Sequence, residues 1–263
     1  NYQIIANYGL MTNTTRAGNA SSRSDTQNHV RQFHKLGKAG TTSIKLGMSG
    51  VIVNTTGNPA QALGSDYVSE LAFEKISPAS STRCLYSGGN SITVTSGTSL
   101  VLTDALSVSL SADETFAIRK NLTIAAPTNW WPAISAYLIS GDKRFTSPAT
   151  TSQLLNTGDL TTPAGGIAAG PAPCSIILGI PDVALPSFLI LGDSIANGST
   201  DNARGYIIRG LEAVNGFDAP WCRQTVNSAS YWSYAQAGSA VLQDYWQYAT
   251  HIIFELGVND VLN

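Results

Sequence analysis

From Thr41 to about Ile139 the chain is written in short runs that alternate apolar and polar residues, separated by clusters of Gly, Asn, Ser and Pro. Ser43-Ile-Lys-Leu, Gly50-Val-Ile-Val, Ser91-Ile-Thr-Val-Thr and Leu106-Ser-Val-Ser-Leu are examples. In the last, Leu106, Val108 and Leu110 fall on one face and Ser107 and Ser109 on the other, the period of a half-buried antiparallel strand. Such runs, repeated at this spacing, predict an all-β sandwich, jelly-roll-like, with Trp130 and Trp131 near the end of its strand set.

The pattern then changes twice. Thr146 to Pro173 is rich in Thr, Pro, Ala and Gly, as in Thr161-Thr-Pro-Ala-Gly-Gly, and can bury little, so it is expected to run over the surface as a linker. Beyond it Phe188-Leu-Ile-Leu is a fully apolar strand, and Ile207, Leu211 and Val214 mark a helical stripe. Val241, Tyr245 and Tyr248 mark a second stripe, followed by the apolar strand His251-Ile-Ile-Phe-Glu-Leu. Strand, helix, helix, strand predicts a parallel α/β sheet with crossover helices. The expected division is a β-sandwich over 1–145, a linker over 146–175 and an α/β part over 176–263, in keeping with a length of 263 residues.

Composition narrows the classes of partner. Apolar residues are 43% and charged residues 12% of the chain, which excludes a charge-rich disordered protein and leaves a surface of Ser, Thr, Asn, Gln and Gly. That surface suits a secreted, sugar-facing protein. Net charge is −2 and there is no Lys/Arg run to meet a row of phosphates, so no nucleic-acid partner is expected. The apolar stretches are strand-sized, and no membrane span is expected. The chain begins at Asn1, which fits a trimmed N-terminus after export. Cys84, Cys174 and Cys222 lack CxxC spacing, so no metal site or cofactor is expected; buried free thiols and one disulfide with a thiol left over both remain open.

Chemistry concentrates where the apolar strands end. Gly192-Asp193-Ser194 follows the strand Phe188–Leu191, and the carboxyl end of a parallel strand is where sites form. A Ser there can project Oγ into a crevice towards which backbone N–H groups point. Asp193 has two readings, a residue that fixes the turn by hydrogen bonding or one with a direct chemical role.

Three blocks in order, Gly192-Asp-Ser-Ile-Ala-Asn-Gly198, Ala237-Gly238-Ser239 and Gly257-Val-Asn-Asp260, resemble those of the SGNH (GDSL-type) serine hydrolases. The resemblance covers about residues 176 to 263. It implies the front part of a flavodoxin-like α/β SGNH hydrolase domain and an esterase activity. Ser194 would be the nucleophile, and its own N–H, the Gly238 N–H and the Asn259 amide would form the oxyanion hole. Gly192, Asp193, Gly257 and Asp260 would support the two turns. Removing one such donor costs roughly 3 to 4 kcal/mol of transition-state stabilisation.

The family's Asp-x-x-His does not occur in the sequence, so Ser194 has no evident base. His251 should lie at the far end of its strand, about 20 Å from Gly257. His29 and His34 fall in a polar N-terminal stretch and read as surface residues. The expectation is therefore the N-terminal part of a longer enzyme, inactive by itself, whose site is completed by a C-terminal segment or a second chain. The sequons at Asn13, Asn19, Asn54, Asn121 and Asn197 follow from composition, and Asn197 is a poor place for a glycan.

The expected function is carboxyl-ester hydrolysis, with O-acetylated carbohydrate as the favoured substrate class. The alternatives are a structural or adhesive protein of the phage-tail or surface-fibre type, or a carbohydrate-binding protein, with an inactive hydrolase-like part.

Overall fold

The computed structural model describes residues 1–7, 9–10, 14–17, 25–52, 60–126, 128–129, 131–134, 142–147, 152–161, 174–198, 205–213, 219–235 and 237–260. The molecule is strand-rich, and most of its sheets are antiparallel. One sheet has Thr115–Thr123 at its centre, paired on one side with Gln27–Lys35 and on the other with Tyr67–Lys75; Lys143–Ser147, Ile92–Val94 and Ser80–Cys84 complete it. A second sheet is built on Thr41–Met48, which pairs with Ile176–Pro181, Val101–Leu102 and Leu106–Leu110, while Gln3–Ile4 adds to the outer side of Ile176–Pro181. The two sheets face one another across a core of Val30, Leu71, Phe73, Phe116, Ile118 and Leu122 from the first and Ile44, Leu46, Met48 and Ile177 from the second. The expected antiparallel all-β part is present, and Leu106–Leu110 shows the expected alternation, with Ser107 and Ser109 exposed.

The second sheet is buried on its other face as well. Ile4, Ile176 and Leu178 point away from the sandwich core and pack with Leu189, Leu191, Cys222, Leu242 and Tyr245. Leu189, Leu191 and Cys222 belong to a four-stranded parallel sheet in the order His251–Glu255, Phe188–Gly192, Trp221–Thr225, Gly9–Leu10, and Leu242 and Tyr245 to the segment Ala237–Tyr248. The far side of this sheet is covered by the helix Gly205–Ala213 through Ile207, Ile208 and Leu211, which meet Ile190 and Trp221. The expected stripe is thus present at Ile207 and Leu211; Val214 lies outside the described residues.

The boundary expected at 176 is corrected. Ile176–Pro181 is an antiparallel strand of the sandwich, and Gly9–Leu10, from the N-terminal part, is an edge strand of the parallel sheet. Alternate residues of Ile176-Ile-Leu are buried in two different cores, and a strand buried on both faces has the same apolar run whichever sheet it joins. Much of the expected linker, with Trp130, lies outside the described residues. Within it, Thr146 and Ser147 end a sandwich strand and 152–161 lies against the sheet, with Leu154 buried.

The second expected helix, Ala237–Tyr248, is a 3-10 helix. Leu242 and Tyr245 are buried three residues apart, as three residues per turn requires. Ser99 Oγ donates to the Val241 carbonyl, and Tyr245 hydroxyl donates to Ser99 O at 2.9 Å, so tertiary bonds take a group that an α-helix would use internally.

His29 and His34, expected at the surface, are buried in Gln27–Lys35. His29 packs on Phe145 with ring centroids 4.8 Å apart, and His34 Nδ1 is 3.1 Å from Asn7 O. Burial lowers their pKa values to about 4 and about 3. A folded-state pKa below the unfolded value means that unfolding takes up protons as the pH falls below about 6.5, so stability is lost on acidification. For His34 alone the loss should reach about 3 kcal/mol by pH 4. The midpoint of thermal unfolding should fall from pH 7 to pH 4, and His34→Gln should flatten part of that fall; an unchanged slope would locate the acid sensitivity elsewhere.

All three cysteines are free and buried, and burial raises the thiols, Cys84 and Cys222 to about 12. Among the described residues no helix is long and apolar enough to cross a membrane.

Candidate active site

Phe188–Gly192 runs through the middle of the parallel sheet, with Leu189, Ile190 and Leu191 fully buried. In register Gly192 stands beside Thr225 and Glu255, so three strand ends open at one level. Asp193 then turns the chain with an extended backbone and caps the short helix Ser194–Asn197, its Oδ1 accepting from the Ile195 N–H at 2.8 Å. Gly198 closes that helix in the left-handed region, at φ 74°. Ser194, the first helical residue, is half-buried at this strand end.

The turn is held from several sides. Glu255 Oε2 accepts from the Ala196 N–H at 3.0 Å, and the Glu255 carbonyl accepts from the Asp193 N–H at 3.2 Å. The Tyr234 hydroxyl, from the helix Tyr231–Ala235, donates to Gly192 O and to Gln224 O, tying the neighbouring strand ends together. Asn197 is buried: its carbonyl accepts from Arg223 Nη1 at 3.1 Å, its Oδ1 from Thr225 at 3.3 Å, and its Nδ2 donates to Asn227 Oδ1 at 3.2 Å. A glycan has no room at Asn197, nor at Asn121 inside its strand; Asn13, Asn19 and Asn54 lie outside the described residues.

The Gly257–Asp260 turn reaches the same place. Asn259 Nδ2 donates to Asp193 Oδ2 at 3.1 Å and to the Ala229 carbonyl at 2.8 Å. Both oxygens of Asp260 accept from the Tyr231 N–H, at 3.0 and 3.1 Å, which fixes the turn on the start of the helix Tyr231–Ala235. Gly257 has φ 123°, a backbone that favours glycine. The structure therefore brings Gly192, Asp193, Ser194, Gly257, Asn259 and Asp260 together. Gly238 stands second in Ala237–Tyr248, and its surroundings lie outside the described residues. Compared with protein-family models and with curated proteins, the chain matches none.

Both amide hydrogens of Asn259 brace the turn, one on Asp193 and one on Ala229. Both oxygens of Asp193 are likewise engaged, on Ile195 and Asn259. None of the three histidines reaches Ser194. His251 pairs with Phe188, four residues or about 13 Å back along the strands, and its ring stacks on Phe188. His29 and His34 belong to the sandwich.

Sequence reasoning missed Glu255, Tyr234 and Tyr206. Burial, then the Asp193 charge and a hydrogen bond with it, raise the Glu255 carboxyl above its ordinary range, with the Ala196 N–H acting the other way. The exposed Tyr206 phenol is raised by desolvation and by the Glu255 and Asp193 charges, which places it beside the same acids. The signal for Glu255 was available: it is the one acid closing an otherwise apolar strand, at the residue level with Gly192.

Proposed function

We propose that the chain carries the nucleophile side of a serine-dependent carboxyl-ester hydrolase of the SGNH type, reacting through an acyl-Ser194 intermediate. The observation that carries this reading is the hydrogen bond from Asn259 to Asp193, which joins the Gly-Asp-Ser and Gly-x-Asn-Asp turns across 66 residues at one end of a parallel sheet. Strand order along the sheet supports it too. Leaving aside the N-terminal edge strand Gly9–Leu10, Trp221–Thr225, Phe188–Gly192 and His251–Glu255 are second, first and third in the chain, the order in which a flavodoxin-like sheet begins.

In the reaction Ser194 Oγ adds to the ester carbonyl as its proton passes to a base; the alcohol then leaves with a proton, and water hydrolyses the acyl-serine. The Ser194 N–H, the Gly238 N–H and Asn259 would stabilise the oxyanion, Asn259 by exchanging one of its present acceptors for the developing charge. The base comes from outside the described residues, on a further segment or a second chain. His251–Glu255 is the place for such a segment to pair: it stands at the edge of the sheet, with Ile252 and Ile253 half-exposed and Phe254 exposed. The charge-poor, hydroxyl- and amide-rich composition supports a secreted or extracellular setting and an O-acetylated carbohydrate as substrate.

One observation favours the structural or carbohydrate-binding reading: Asn259 spends its amide donors on Asp193 and Ala229, inside the turn, and not on a substrate position. Hydrolysis of p-nitrophenyl acetate and labelling by a fluorophosphonate separate the two. Turnover and labelling that vanish in Ser194→Ala establish the hydrolase. Glycan affinity that survives Ser194→Ala, in a protein that neither turns over ester nor labels, establishes the binding protein.

A further inference from the structure

We infer that Glu255 is a positioning residue for Ser194: as a neutral acid it shares one proton with Asp193, and the two carboxyls together clamp the first turn that carries the nucleophile. The inference rests on the Ser194 reading for its functional half only.

The geometry is that of two acids on adjacent amides of one turn. Asp193 Oδ1 takes the Ile195 N–H and Glu255 Oε2 takes the Ala196 N–H, so the two amides that follow Ser194 are each held by a carboxyl. The main chains are joined as well, Asp193 N–H to Glu255 O. Two full negative charges held on adjacent amides of one turn repel, and one retained proton turns that repulsion into a hydrogen bond. The elevated affinity of Glu255 for its proton, with Asp193 as partner, agrees with this.

The donors to the two carboxyls are neutral, the Ile195 and Ala196 N–H groups and the Asn259 amide. The groups facing the pair are the phenols of Tyr206, from Gly205–Ala213, and Tyr234, from Tyr231–Ala235, both raised by burial and by the neighbouring carboxylate charge. Arg223 of the adjacent strand donates to Asn197 O, and Asp260 accepts from the Tyr231 N–H. Glu255 is thus the group whose ionisation loosens the turn. Its folded-state pKa lies above the unfolded one, so its stabilising form is fully present below the unfolded pKa and is lost as the pH rises through the folded value.

The experiment has two arms. In protein labelled with ¹³C at the side-chain carboxyls, Glu255 should titrate above the ordinary glutamate range, and Asp193→Asn, which keeps the helix cap, should move its midpoint back towards that range. An ordinary midpoint in the wild type, or one unmoved by Asp193→Asn, overturns the pair. In the second arm, fluorophosphonate labelling is followed against pH. Wild-type labelling should fall as Glu255 ionises. Glu255→Gln, whose amide donates to Asp193 and accepts from Ala196 with no charge to gain, should hold its rate across that range, and Glu255→Ala should lose about 10²-fold at every pH. A Glu255→Gln profile that copies the wild type overturns the positioning role. If no form labels at any pH, the hydrolase reading fails while the titration still decides the proton-sharing pair.

Discussion

Gly192→Ala is expected to slow fluorophosphonate labelling of Ser194 by about 10²-fold, the scale of an ångström's misplacement at a reacting centre. A Cβ at Gly192 would lie 2.4 Å from Ala196 Cβ and 2.8 Å from the Glu255 carbonyl oxygen. Neither neighbour yields easily. Ala196 is on the nucleophile's own turn, and the Glu255 carbonyl is bonded to the Asp193 N–H. Gly192 cannot retreat, because its carbonyl accepts from the Val226 N–H at 2.9 Å and from Tyr234 at 3.2 Å. The turn must therefore move, and Ser194 moves with it. Overpacking at one site costs about 1–3 kcal/mol of stability, so the fold should survive while the site is displaced. Adding Ala196→Gly removes the nearer contact and leaves the carbonyl one, so the double variant should recover labelling only in part. A single variant that labels at the wild-type rate would mean that Ser194 is not the reacting group, or that its placement does not depend on this turn.

The same turn shows what could be read from the residues alone. Gly-Asp-Ser at the end of an apolar run and Gly-x-Asn-Asp at the end of another are local signals, and the places they occupy follow from strand ends that sequence periodicity reveals. The alternation of Leu106–Leu110 was legible for the same reason, since one face of that strand meets solvent. Gln27–Lys35 was not. Its outward row includes His29 and Arg31 and its inward row includes Asn28, Gln32 and His34, so neither face reads as apolar although most of the strand is buried. Such a strand is recognisable only once its polar groups find partners far away in the chain. Gly9–Leu10 and Ile176–Pro181 were hidden differently: each is a plausible strand, but which sheet receives it depends on contacts with residues more than 100 positions distant. Glu255 was legible as an oddity, an acid in an apolar strand, but its meaning needed the register that sets it beside Gly192.

Glu74→Ala is expected to destabilise the protein by about 3–5 kcal/mol, the range for removing one partner of a buried ion pair. Glu74 lies on the face of the six-stranded sheet turned away from the sandwich core and is 1% exposed. Its Oε2 accepts from Arg31 Nε and Arg119 Nε, both at 2.8 Å, and its Oε1 from Arg31 Nη2 at 3.0 Å and the Gly158 N–H at 2.8 Å. Burial alone would raise this carboxyl, but the hydrogen bonds from Arg31, Arg119 and Gly158 outweigh it and hold the pKa below the ordinary value. Truncating the acid leaves two buried guanidiniums side by side, Arg31 with the exposed Asp159 at 3.1 Å and Arg119 with the carbonyls of Gln153 and Gly158. Residues 152–161 are held on the sheet through these groups, so their amides should exchange hydrogen faster in the variant, Gly158 above all. At about 2–4 °C per kcal/mol for a chain of this size, the unfolding midpoint should drop by roughly 10 °C. Glu74→Leu combined with Arg31→Met and Arg119→Met removes all three charges and should lie much closer to the wild type, because desolvating the ions no longer opposes folding. A drop of less than about 2 °C in Glu74→Ala would show that the two arginines reach solvent or other acceptors when the acid is removed. Because this cluster sits on the outer sheet, separated from Ser194 by the sandwich core and the five-stranded sheet, Glu74→Ala should leave labelling at 25 °C unchanged although the unfolding midpoint drops.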